Sequence, residues 1–269
     1  MLIPPIPGID EPPDDAAVWQ YMDFTKLVSI LERKELFFAR IDKVDDPYEG
    51  TIANFNRRER IPTYREQYPH LTTQQIEKFS TDIDDYGELL VRSGKILINC
   101  WHVNHFESAA MWELYAQRNS GIAIKTTYKR LKDSLNKGTP DLIKFGLVKY
   151  IDFENEWVDE DNLYHRFLRK RKSFEHEREL RALLQLEIEG CREIVRDGKK
   201  FYEDVKDTSN PNQKTDGGKY VSVDVDRLIS NIYVAPKARS WVGELVKAVA
   251  ERYNLKRDQV IISDLYSLK

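Results

Sequence analysis

Two stretches of the chain concentrate side chains that can do chemistry. In Lys170 to Leu184, KRKSFEHERELRALL, Glu175, Glu177 and Glu179 alternate with His176, Arg178 and Leu180. Read as a strand, the alternation puts three carboxylates on one face and adds Arg181 as its fourth member. Crowded carboxylates push one another's pKa up unless cations lie close, and Lys170, Arg171 and Lys172 come just before them. Such a face suits stabilising positive charge or moving a proton. A solvated strand edge, charged to discourage pairing, carries the same pattern.

The second stretch is CWHVNHFESAAMWELYA, Cys100 to Ala116. It places His102, Asn104, His105, Glu107 and Ser108 between an apolar strand and an aromatic helix. A strand-to-helix junction offers unpaired backbone N–H groups to an anion. Asn104 or Ser108 reads equally as the helix cap, and Met111, Trp112 and Tyr115 as core residues. His102, His105 and Glu107 suggest a metal site, but a closed site needs three or four donors and no second cluster completes the set.

The chain also excludes several chemistries. It has no Walker loop, GxGxxG, GxSxG or HExxH motif, so phosphate-loop and zinc-peptidase mechanisms are not expected. A formal net charge of -3 leaves any nucleic-acid contact to a local patch, such as the basic run Arg166 to Lys172. Two cysteines cannot build a disulfide scaffold, and the proline-rich start MLIPPIPGIDEPPDD is no secretory signal. The reading is a cytoplasmic protein without membrane contact.

The elements that must position these groups form a mixed α+β pattern with largely antiparallel sheets. Residues 1–17 read as an extended arm and 18–269 as one domain. AVWQYMD is a strand, Asp23 or Thr25 caps a helix over FTKLVSILERK, and ELFFARID is a buried strand ending in the DDPYEG turn. A helical insertion spans about 51–95, with breaks expected at Pro62 and Pro69. KILINCWHV, GIAIKTT, DLIKFGLVKYIDF and ELRALLQLEI follow as strands, and LYHRFLRKRKSF as a helix. Residues 190–219 read as a loop or hairpin. KYVSVDV, NIYVAP and VIISD close the chain as strands around the helix SWVGELVKAVAERYNL.

Taken in order, VWQYMDF, LFFARIDKVDDPYEG, CWHVNHFESAAMWELYAQRNSGIAI and KRKSFEHERELRAL resemble the bacterial domain-of-unknown-function 2971 family over roughly residues 18–265. Asp46, Pro47 and Glu49 match its turn, Met111, Trp112 and Tyr115 its helix, and Glu177, Glu179 and Arg181 its last motif. The order of elements is also distantly similar to the ADP-ribosyltransferase fold. That resemblance implies a split pair of sheets, NAD as substrate with no other cofactor required, and a carboxylate, Glu177 or Glu179, that stabilises a ribosyl cation. Tyr21 or Trp101 would stack on nicotinamide, and Arg40 or Arg181 would meet the pyrophosphate. Glu49, His102, Asn104 and Ser108 join the expected substrate-binding set, as do Trp112, Tyr115 and Lys172. The implied activity is transfer of ADP-ribose to a macromolecule. The alternative is a non-catalytic nucleotide- or nucleic-acid-binding module, in a setting such as phage defence or stress response.

Overall fold

A computed structural model describes residues 8–115, 120–135, 143–160, 162–186, 191–196, 199–204 and 217–267. Strand β1 (Ala17–Asp23) alternates strictly: Val18 and Met22 enter one core, and Trp19 and Tyr21 the other. Asp23 ends it and caps helix α1 (Phe24–Arg33), its carboxylate accepting from the Lys26 N–H at 2.9 Å. Lys34, at φ 54, closes that helix and turns the chain into β2 (Glu35–Arg40).

Helices α2 (Asn54–Gln67) and α3 (Thr73–Arg92) form the insertion. A capping box of Thr72 and Gln75 starts α3. The break expected at Pro62 does not occur; α2 runs through it. Residues on either side are anchored to one carboxylate, Arg60 through Nη2 at 2.5 Å and Tyr64 through its hydroxyl at 3.0 Å from Glu160. Arg60 also reaches Asp84 of α3 at 2.8 Å. These contacts help α2 continue despite the hydrogen bond that proline removes.

Then come β3 (Ile96–Val103), α4 (Ala109–Tyr115), β4 (Gly121–Thr127) and α5 (Tyr128–Leu135). The expected strand over DLIKFGLVKYIDF is two strands, β5 (Ile143–Leu147) and β6 (Lys149–Ile151), which join different sheets on either side of Val148. The expected helix over LYHRFLRKRKSF is instead a 3-10 segment Leu163–Leu168, strand β7 (Arg169–Arg171) parallel to β6, and a second 3-10 segment from Lys172 to Glu177. Strand β8 (Glu179–Gln185) follows. Within 190–219, β9 (Cys191–Arg196) and β10 (Lys199–Asp204) pair as a hairpin. Strand β11 (Gly218–Ser222), helix α6 (Val225–Leu228), β12 (Asn231–Val234), α7 (Ser240–Arg252) and β13 (Val260–Ile262) complete the chain.

Among the described residues the main sheet has nine strands, and every pairing in it except β12 with β13 is antiparallel. Strand β3 is its centre, and β8 pairs with one edge of it from Ile96 to His102. The other edge is shared: β2 pairs at Leu97 and Ile98, and β1 at His102 and Val103. The sheet therefore forks at the middle of β3, one arm being β2–β11 and the other β1–β4–β12–β13. Side-chain amides span the fork, Gln20 donating to the Cys100 carbonyl at 3.3 Å and Asn99 to the Phe37 carbonyl at 3.0 Å.

One face of this sheet is closed. Leu97, Trp101, Leu180 and Leu184 pack there with Leu27 and Leu31 of α1, Leu131 of α5, and Val242 and Val246 of α7. The opposite face is covered in two separate places. Trp19 and Tyr21 meet Met111 and Trp112 of α4, while Ile96, Ile98 and Leu183 meet Leu90 of α3 and Phe167 and Leu168. Between these covers lies uncovered sheet carrying Cys100.

Gly94, just before β3, has φ +65, and a Cβ there would stand 2.4 Å from Arg40 Cζ. Gly94→Ala is expected to destabilise the fold by roughly 1–3 kcal/mol, from the left-handed backbone and the displaced guanidinium. A denaturant midpoint unchanged from wild type would show that Arg40 moves aside freely.

Candidate active site

The cleft between the two covers is built from alternation on β3 and β8. Cys100 stands opposite Arg181, and His102 opposite Glu179, so all four side chains share the open face. Cys100 is exposed although it sits on a central strand. Surrounding protein still pushes its thiol pKa well up, burial first and then Glu179, to which the thiol donates. Being exposed on a central strand between the two covers, Cys100 marks the open floor between them. Its thiol stays protonated at neutral pH, which removes it as a nucleophile.

Beside Cys100, on the same face, lies a buried ion cluster. Arg181, 1% exposed, spends its guanidinium inside it: Nη1 and Nη2 grip Glu49 at 2.7 and 2.6 Å, Nε and Nη2 hold Glu179 at 2.7 and 3.1 Å, and Nη1 also reaches the Phe167 carbonyl at 2.8 Å. Lys170 Nζ stands 2.5 Å from Glu177 and 3.6 Å from both Glu49 and Glu179. Against the desolvation that burial imposes, Arg181 and Lys170 hold the Glu179 carboxyl down at about 2. Three buried carboxylates thus face two cations, leaving one negative charge in excess.

Glu177 is the member of the cluster that meets α4. Its carboxylate accepts from the Tyr115 hydroxyl at 2.8 Å as well as from Lys170. Tyr115 is 45% exposed at the end of α4, so this contact reaches across the cleft from one cover to the other. Burial, then Glu177, raises the Tyr115 pKa, so the hydroxyl remains a donor. The expected strand through Glu175, Glu177 and Glu179 is corrected here. The Lys172–Glu177 segment is a 3-10 turn and Arg178 adopts φ 40, so Glu175 points into solvent while Glu177 and Glu179 both turn inward.

Residues 111–182 match the family described as Protein of unknown function (DUF2971). The matched segment runs from Met111 of α4 to Ala182 of β8, and so contains Tyr115, Lys170, Glu177, Glu179 and Arg181. Among solved structures, Thermus sp. 2.9 DarT in complex with ADP-ribosylated ssDNA is similar at 9% identity and a TM-score of 0.37, over 95% of this chain and 97% of that chain. No curated protein matches.

Several expected site residues lie elsewhere. Trp101 is 1% exposed in the core on the other face, bonded to Asn99, and cannot stack in the cleft. Arg40 binds Asp42 at the opposite end of β3, and Arg181 has no donor left for a pyrophosphate. Lys172 is paired with Glu156 on the surface. Tyr21 and Trp112 line the α4 side but are buried, with the Tyr21 hydroxyl accepting from the Ser108 N–H at 2.9 Å. Ser108 rather than Asn104 caps α4, through the Met111 N–H at 3.3 Å. The Asn104 carbonyl accepts from Trp19.

The basic run does not form a surface stripe: Arg166, Arg169 and Lys170 are buried, and Arg171 pairs with Asp46 at 2.8 Å. No group of three or more His, Cys, Asp or Glu is placed to hold a metal ion among the described residues. Nor is any described helix long and apolar enough to cross a membrane.

Lys170, Cys100 and Tyr150, whose hydroxyl accepts from the Glu179 N–H at 2.8 Å, were not singled out as site residues by the sequence. Cys100 lies two residues from His102, the strand spacing that shares a face. Lys170 stands in the basic run noted just before the carboxylates, and Tyr150 has no local signal.

The Glu179 shift sets an acid limit on stability. Its folded pKa, about 2, lies below the ordinary carboxylate value, so the stabilisation is complete above about 4.5 and disappears as pH falls toward 2. Stability is expected to drop across that window. Glu179→Gln should flatten the slope, and an unchanged slope would locate the acid-sensitive group elsewhere.

Proposed function

We propose that the cleft binds NAD and transfers its ADP-ribose to a macromolecular acceptor, with Glu177 as the reacting carboxylate. The observation that carries this reading is Glu177 itself, a carboxylate held by Tyr115 and Lys170 inside a cluster that is one positive charge short. Cleaving the nicotinamide–ribose bond sends its electron pair to the ring nitrogen and leaves positive charge on the sugar. A fixed, desolvated carboxylate lowers the barrier to that charge because it needs no reorganisation when the charge appears.

The other groups divide the remaining work. Glu179 is locked by Arg181 and stays ionised, so its part is the field of the cluster. Glu177 takes the proton that the acceptor loses as it attacks the sugar carbon. Tyr115, the exposed aromatic at the cleft, offers the stacking face that buried Tyr21 and Trp112 lack.

Calorimetric titration with NAD, together with assay of free nicotinamide, tests the reading. Saturable binding and nicotinamide release are expected from wild type. Binding without release would make the cleft a nucleotide-sensing module, and no binding at millimolar NAD would remove the dinucleotide altogether.

A further inference from the structure

The two nitrogens of His102 are unequal. The ring is 3% exposed on the cleft face of β3, and Nδ1 stands 2.6 Å from the Glu177 carbonyl oxygen. A carbonyl only accepts, so Nδ1 carries the proton. The ring's pKa is lowered, by burial first, which keeps it neutral and leaves Nε2 a bare lone pair. That atom is buried and has no hydrogen-bond partner among the described residues. An unpaired buried acceptor is a cost that an apolar side chain would avoid, so the Nδ1 bond is what the imidazole contributes here.

That bond holds the backbone of the residue whose carboxylate faces the cleft. Glu177 ends its 3-10 turn, and Arg178 follows at φ 40, a conformation unfavourable for a residue with a Cβ. Two hydrogen bonds pin the kink to β3: His102 Nδ1–H to the Glu177 carbonyl, and the Val103 N–H to the Arg178 carbonyl at 2.9 Å.

We propose that His102 is a positioning residue for Glu177, its Nδ1–H fixing the kink that sets the carboxylate between Tyr115 and Lys170. This rests on the reading of Glu177 as the reacting carboxylate. Asparagine brings an amide N–H to the place of Nδ1, whereas glutamine brings it to the place of Nε2. His102→Gln is therefore expected to lower kcat for nicotinamide release about tenfold or more with KM within about twofold. His102→Asn should recover kcat to within about threefold of wild type. Equal losses in the two variants, or a loss confined to KM, would overturn the proposal.

A second measurement needs no variant. The nitrogen-15 imidazole spectrum of wild type should show the Nδ1–H tautomer with Nε2 unprotonated near neutral pH, and the opposite tautomer would overturn the proposal. If Glu177→Gln proves as active as wild type, the reading of Glu177 fails instead, and the spectrum still decides whether His102 grips its backbone.

Discussion

Arg181→Met is expected to destabilise the protein by about 3–5 kcal/mol, because removing one member of a buried ion set leaves the others uncompensated. Glu49 and Glu179 have side chains only 2% and 6% exposed, and the cation left to each would be Lys170, at 3.6 Å. Replacing Glu49 and Glu179 by leucine in the same molecule should recover much of the loss, since an apolar set of similar volume carries no desolvation cost. Guanidinium denaturation of the single and triple variants makes the comparison. A loss below about 1 kcal/mol for Arg181→Met would mean that water reaches the cluster.

Glu177→Gln should lower nicotinamide release about 10²–10³-fold, roughly 3–4 kcal/mol of transition-state stabilisation, while the fold stays intact. The amide keeps an acceptor for Tyr115 and loses only the charge, and Lys170 retains Glu49 and Glu179 as partners. Glu179→Gln should behave differently. It weakens the grip of Arg181 and costs stability as well as rate, so thermal midpoint and turnover fall together. Equal turnover in wild type and Glu177→Gln would end the proposed role of Glu177.

Local chemistry made much of the fold readable. Asp23 before an amphipathic run and Thr72 three residues before Gln75 mark helix starts, and the alternation in AVWQYMD marks a half-covered strand. Glu177 and Glu179 are both buried although no single strand runs through them, because the kink at Arg178 turns both inward. The face of Trp101 was not readable: ILINCWHV is apolar at odd and even positions alike, so its alternation carries no direction. Nor was the fate of the basic run. Its partners Asp46, Glu49 and Glu156 come from other parts of the chain, and only tertiary structure turns that run from a solvated stripe into the wall of a cleft.

The fork at β3 leaves the middle of one edge of that strand without a ladder partner among the described residues. Halfway along, the Cys100 carbonyl is held by the Gln20 amide, a contact that can release without unzipping a ladder. A ligand seated above Cys100 would touch the α4 cover, which rides on the β1 arm, and the Lys170–Glu177 wall beside β8. It would add to the Tyr115–Glu177 hydrogen bond that ties these two walls together, so that occupancy registers as heat resistance even where no turnover is measured.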